Sequence, residues 1–237
     1  MKPWLLLVWA VLGPLASAQQ EVSFRAADGV RVFGSYYAAA SKQRPLILLF
    51  HMSGSNRWEY EAIAPELVRM GFNCLAIDQR SGGTMWNRTN RTRDGLGRPA
   101  AFAEALPDLE AALGWAKATG HRGKLLLWGS SYSAALVFVL AARHPEVGAV
   151  LAFSPGEYLG PGLSVREAAA RVRVPVFATS ARFEGPAVRG ILAAVASPDK
   201  TQFVPRDTGM HGSLALSFPP YRAEYWPAVA RFLRRFV

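Results

Sequence analysis

The sequence predicts a single α/β domain, a mostly parallel eight-stranded sheet with helices on both faces. Three observations predict it. Short apolar runs alternate with segments of helical period, as parallel βαβ connections require. The runs are continuous in apolar character, the mark of strands covered on both faces. No long linker or internal repeat divides the 237 residues, a length that suits one large domain.

Taken in order, residues 22–25 and 30–37 read as two strands around an Ala27-Asp28-Gly29 turn, a hairpin signal. Pro45 precedes a strand over 46–50. Tyr60, Ile63, Leu67 and Met70 recur at helical spacing, and Gly71 closes that helix. A buried strand over 73–77 ends at Asp78. Phe102, Leu106, Leu109, Leu113 and Ala116 mark a helix ending at Gly120. A strand over 124–128 feeds a nearly all-apolar helix over 131–143. Strands follow at 147–153 and 174–179, a helix at 186–196, a short strand at 201–204 and a closing helix at 221–236. The 20-residue stretch 154–173 is turn-rich, with room for one short helix over 163–170 and for no large cap domain. The stretch 79–98 is irregular and carries Arg80, Arg88, Arg91, Arg93 and Arg98. Its placement beside a strand end raises the expectation that these arginines select anionic substrates; a solvated loop is the plainer account.

Residues 1–18 read as an export signal. Lys2 supplies the positive start, residues 4–12 an unbroken apolar run, and Ala16-Ser17-Ala18 a small-residue cleavage site. The run stops short of the roughly 20 apolar residues that a membrane span needs. The expectation is a mature domain over 19–237, secreted or periplasmic, with no stable membrane insertion after cleavage.

Composition excludes several classes. Hydrophobic residues make up 51% of the chain, too many for disorder. One cysteine, Cys74, rules out a disulfide scaffold and a Cys-rich zinc module, and its place inside a buried strand reads as core filler. No phosphate-binding G-x-x-x-x-G-K-[ST] loop is present. The net charge is +10, but the basic residues are dispersed with no block of five, so no nucleic acid partner is expected. The four histidines are dispersed as well, and neither a metal nor an organic cofactor is implied. Asn87-Arg88-Thr89 and Asn90-Arg91-Thr92 both match the N-glycosylation pattern, whose use depends on the host.

In a sheet of this kind chemistry gathers beyond the carboxyl ends of the strands. The strand over 124–128 leads into Gly129-Ser130-Ser131-Tyr132-Ser133. A serine lifted off a strand by a sharp turn into a helix needs small neighbours two positions away. Ser131 has Gly129 and Ser133; Ser130 has Trp128, and Ser133 lies within the helix, so Ser131 is the preferred nucleophile over a mere helix cap. A serine hydroxyl needs a base. His121 lies at the wrong end of the sheet, His144 at a helix C-terminus, and His51 closes a strand and could be structural. His211, in a small-residue loop after the last strand, satisfies both order and placement. The base in turn needs a carboxylate. Glu184 follows the strand over 174–179, with Asp199 and Asp207 as fallbacks and a surface pair with Arg182 as the plainer reading. The oxyanion donors would be the backbone amides of Tyr132, at the helix start, and Met52, after His51.

These residues give the chain a clear resemblance to the α/β-hydrolases, nearest to small dienelactone-hydrolase-like and esterase-like members, over about residues 22–237. The resemblance rests on His51-Met52-Ser53-Gly54, Asp78-Gln79-Arg80-Ser81-Gly82-Gly83, the 129–133 elbow, Glu184 and His211. It implies the α/β-hydrolase fold, with Ser131 as nucleophile, His211 as base, Glu184 as acid and the Met52 and Tyr132 amides as oxyanion hole. The departures are Ser133 where the elbow usually ends in Gly, Met52 in the oxyanion loop, and Glu as the acid. The reading is an exported serine hydrolase acting on a small-molecule carboxylic ester. A peptidase or amidase with the same triad and a non-catalytic binding protein on this fold stay open. Substrate identity and oligomeric state are not written in the sequence.

Overall fold

A computed structural model describes residues 19–237; the expected export signal lies outside the described residues. Eight strands form one sheet: β1 (Gln19–Arg25), β2 (Arg31–Tyr37), β3 (Leu46–Phe50), β4 (Asn73–Ile77), β5 (Leu125–Ser130), β6 (Val147–Phe153), β7 (Val176–Thr179) and β8 (Lys200–Phe203). Their spatial order is β1-β2-β4-β3-β5-β6-β7-β8. β2 is antiparallel to both β1 and β4, and every pair from β4 onward is parallel. This is the expected mixed sheet, opened by a hairpin.

Every residue of β3, β4, β5 and β7 is buried, because helices cover both faces. One face carries α3 (Leu106–Ala118), α4 (Tyr132–Arg143), α5 (Val165–Ala169) and α6 (Gly185–Ala194), packed with Leu48, Phe50, Leu127 and Val150. The other carries α1 (Ala64–Arg69) and α7 (Pro219–Leu233), packed with Ile47, Leu49, Trp128 and Phe177. Alternate residues of one strand thus serve opposite cores, which explains why these four inner strands carry no polar alternation.

Three expected elements differ in extent. The helical spacing from Tyr60 to Met70 resolves into a 3-10 turn at Arg57–Tyr60 and the short α1, with Pro65 starting the latter. The 79–98 stretch holds a helix, α2 (Arg91–Leu96), capped by Asn90 and ended by Gly97 at φ 71°. Between β6 and β7 there is only the five-residue α5, so no cap domain covers the carboxyl ends of the strands. No helix among the described residues is long and apolar enough to cross a membrane.

Candidate active site

Ser131 sits between β5 and α4 with φ 59° and ψ −122°. A left-handed φ in a residue with a side chain costs about 1–3 kcal/mol, and such strain gathers at functional turns. The turn is held by the Ser131 amide, which donates to Phe153 O at 2.8 Å. Its tightness is visible at Gly129, where a Cβ would lie 2.3 Å from Ser133 O. The glycine is therefore needed at 129. Ser133 fits because its Oγ donates to His51 O at 2.6 Å and accepts from Gln79 Nε2 at 2.7 Å. Its hydroxyl joins the elbow to the loop after β3.

His211 Nδ1 donates to Glu184 Oε1 at 2.7 Å. The imidazole is 37% exposed and the carboxylate 13%, so the pair faces solvent from the histidine side. Burial alone would raise the Glu184 carboxyl; hydrogen bonds from His211 and Ser154 outweigh it and hold the group below the usual carboxylate range. Asp199 instead pairs with Arg235, and Asp207 lines a cleft beside Arg206 and Glu224. The plainer account of Glu184 as the partner of Arg182 does not hold, since Arg182 bonds the carbonyls of Pro205 and Arg206.

The histidine loop is sewn to the elbow. The Ser213 amide donates to Ser130 Oγ at 2.9 Å, and a Cβ on Gly212, at φ 70°, would lie 2.6 Å from that oxygen and 3.8 Å from Met52 Sδ. Residues 52, 130 and 211–213 thus converge on one spot at the carboxyl ends of β3, β5 and β8. A further residue escaped sequence reasoning. Ser154, at φ 56°, donates its hydroxyl to Glu184 Oε2 at 2.8 Å and accepts the Gly212 amide at 3.0 Å. It fixes both the acid and the histidine loop. Its only sequence signal is its place directly after a strand, followed by Pro155.

The oxyanion donors need one correction. The Tyr132 amide opens α4, where helix geometry leaves it no intrahelical acceptor. The Met52 amide, by contrast, donates to Glu59 Oε2 at 2.9 Å and is committed to the protein. The next amide, that of Ser53, meets no protein acceptor among the described residues. Spacing alone does not distinguish 52 from 53, because the distinction depends on which way one peptide plane faces.

His51 has no share in the charge chemistry. It is fully buried, donates from Nδ1 to Met52 O at 2.8 Å and accepts the Gln79 amide at Nε2 at 2.9 Å. Burial pushes its imidazole down to about 4. His121 lies near Tyr36 and Thr119 at the opposite end of the sheet, and His144 beside Glu146 after α4. Burial raises the Cys74 thiol well above its ordinary value, in keeping with a core role.

The arginine loop is mostly spoken for. Arg80 is buried against Asp108 at 2.7 Å and also pairs with Asp28. Arg91 pairs with Glu21, Arg98 with Glu104, and Arg88 lies over the Trp58 ring at 4.5 Å. Of the five, Arg93 lines a cleft of about 430 Å³ beside Ser53, Gly83 and Phe102. The expectation of anion selection by this loop narrows to that residue. A second cleft of about 450 Å³ is lined by Trp58, Glu59, Trp86, Leu214 and Phe218. Asn90 is fully buried, with its amide on Gln79 O at 2.8 Å, so it is closed to glycosylation in the folded chain, whereas Asn87 is exposed. No cluster of three or more metal-binding side chains occurs among the described residues.

An elbow serine at positive φ and a hydrogen-bonded histidine–carboxylate pair, both beyond the carboxyl ends of a mostly parallel sheet, define the class of protein: an α/β hydrolase. The family model of the serine aminopeptidases, S33, matches residues 41–213, and the chain belongs to that family of hydrolases. The fold is similar to the Pyrococcus furiosus esterase Pf2001, with TM-score 0.76 and 19% identity over 99% of this chain and 98% of that one. It is also similar to a dienelactone hydrolase from Anabaena variabilis, with TM-score 0.70 and 21% identity over 94% of this chain and 97% of that one. A quorum-quenching protein, AidA, of Acinetobacter baumannii is 26% identical over 117 residues, 47% of this chain. The match spans about a third of that relative's length, 35%.

Proposed function

We propose that the chain is an exported serine hydrolase that cleaves carboxylic esters through an acyl-enzyme on Ser131. The observation that carries the reading is the hydrogen-bonded His211–Glu184 pair on a loop stitched to the elbow at Ser130. In this mechanism Ser131 Oγ attacks the ester carbonyl as His211 Nε2 takes its proton. Glu184 fixes the tautomer, since Nδ1–H is committed to the carboxylate, and stabilises the imidazolium that forms. The negative charge on the carbonyl oxygen falls to the Tyr132 and Ser53 amides. The C–O bond to the leaving alcohol then breaks as the imidazolium protonates that oxygen. Water, deprotonated by His211, attacks the acyl-enzyme and releases the acid and Ser131. No step needs a group beyond those residues and water.

Similarity in fold to esterases supports the ester as substrate. The family's description as serine aminopeptidases keeps the peptidase reading alive, because an amide needs the same machinery with a protonated amine leaving group. A fluorophosphonate probe tests the core of the reading: Ser131 should be labelled in the wild type and unlabelled in Ser131→Ala, and an unlabelled wild type would favour a binding protein. p-Nitrophenyl esters of graded chain length beside aminoacyl anilides then separate esterase from peptidase. Export rests on residues 1–18; N-terminal sequencing of secreted protein should begin at Gln19, and an intact Met1 would refute it.

A further inference from the structure

One buried carboxyl takes no part in the mechanism above. Glu59, in the turn before α1, is 3% exposed. Its Oε2 accepts the Met52 amide, and its Oε1 has no partner among the described residues. Burying a carboxyl is costly, and a leucine of similar size would pack there without that cost. What the group holds is therefore informative. Around it the polar atoms of the oxyanion loop are fixed one after another. Ser133 Oγ holds His51 O, His51 Nδ1 holds Met52 O, and Glu59 holds the Met52 amide. The first amide left free is that of Ser53. The hydroxyls of Ser55 and Ser130 lie beside the carboxyl, and Ser130 Oγ also receives the Ser213 amide. Glu59 thus sits where the oxyanion loop, the elbow and the histidine loop meet.

We propose that Glu59 is a positioning residue of the oxyanion hole: by holding the Met52 amide it orients the following peptide so that the Ser53 amide points at the developing oxyanion. The assignment rests on the hydrolase reading of Ser131. It also carries an electrostatic condition. A carboxylate at this joint would oppose the negative charge that forms on the substrate, whereas the neutral acid would not. Burial pushes the Glu59 carboxyl up to about 7, against the lowering effect of the Met52 amide and the His211 charge. Tyr60 on its own turn and Tyr132 at the head of α4 are its other titratable neighbours. Turnover of the wild type then contains a component that falls as pH rises through about 7.

The test compares wild type, Glu59→Ala and Glu59→Gln on one p-nitrophenyl ester, with kcat and KM measured separately across pH. Inhibition by a substrate-like trifluoromethyl ketone reports on oxyanion binding. Loss of one oxyanion donor costs roughly 10²–10³ in kcat. Glu59→Ala should lose about 10²-fold in kcat and in ketone affinity, with KM changed less than about threefold. Glu59→Gln keeps an acceptor for the Met52 amide and should recover about tenfold or more of that loss. It should also lack the alkaline fall near pH 7, a readout that stands even where the alanine variant does not fold. A loss confined to KM, a Glu59→Ala enzyme with wild-type kcat, or identical pH profiles for wild type and Glu59→Gln would each overturn the assignment. A wild type that takes no fluorophosphonate label defeats the hydrolase reading and this role with it. A labelled wild type with indifferent variants defeats this role alone.

Discussion

Two histidines stand at strand ends on the same side of this sheet, and their surroundings differ in almost every respect. His211 is partly exposed and bonded to a carboxylate. His51 is sealed, and both its nitrogens are committed to backbone groups. The burial of His51 opposes a positive imidazole. A histidine must cross between its two protonation states to act as a base. The environment of His51 fixes one state, so the ring serves the loop after β3 as scaffold, while His211 has a carboxylate partner and an edge open to solvent. Position after a strand is thus shared by scaffold and chemistry, and the partners decide between them.

The sharpest way to break this comparison is to remove each ring. His211→Asn should reduce ester turnover by about 10³-fold or more, as loss of the base does in triad enzymes. His51→Asn should leave turnover within about tenfold and lower stability by about 2–4 kcal/mol, because it orphans buried polar groups. Steady-state kinetics beside urea unfolding would show both; equal kinetic losses would erase the distinction. Next in size, Glu184→Gln should cost on the order of 10³ in kcat by removing the anion that fixes the His211 tautomer, with little change in KM. Smaller is Ser154→Ala, which removes one of two donors to Glu184 Oε2, the Ala181 amide remaining, and orphans the Gly212 amide. About a tenfold drop in kcat and about 1–2 kcal/mol of stability are expected, measured on the same assays.

The least conspicuous effect is on stability against pH. The folded state holds the Glu59 proton up to about 7, while an ordinary carboxyl releases it near 4.5, so this group lowers stability as pH rises through that window. His51 works the other way. Its folded value of about 4 lies below the ordinary 6.5, so its contribution is present above 6.5 and lost as pH falls toward 4. The two slopes oppose each other where the windows overlap. Glu59→Gln removes one of them. Relative to wild type, the variant should gain about 3 kcal/mol between pH 4.5 and 7, read from unfolding midpoints at each pH. A constant difference between the two proteins would deny that Glu59 titrates with folding.

Much of this molecule was legible in the chain. The continuous apolar runs gave the inner strands, since a residue covered on either face must be apolar whichever way it points. Their alternation with helices gave parallel pairing and put the loops after 50, 128 and 204 at one end. Ser131 was singled out among three serines by the size of its neighbours, and Gly129 does meet Ser133 O too closely for any side chain. Other features were not legible. Arg80 looked like a substrate-binding cation in a loop but is half of a buried pair with Asp108, a residue on a helix 28 positions away. Asn90 matched a surface sequon but caps α2 from a buried position. Glu59, just ahead of the helical spacing that starts at Tyr60, had nothing to mark it as buried.

By itself the sequence determined what local chemistry determines: which segments are strands or helices, where sharp turns fall, and which residue types stand at strand ends. Those follow from side-chain size, period and backbone freedom within a few positions. Tertiary structure decided the partners: it chose Glu184 over Asp199 and Asp207 for His211, and it alone gave Ser154 for both their loops and Glu59 in place of an oxyanion for the Met52 amide. The reason is physical. A hydrogen bond or a buried charge depends on the orientation of groups brought together from distant parts of the chain, and a rotation of one peptide plane exchanges one donor for its neighbour.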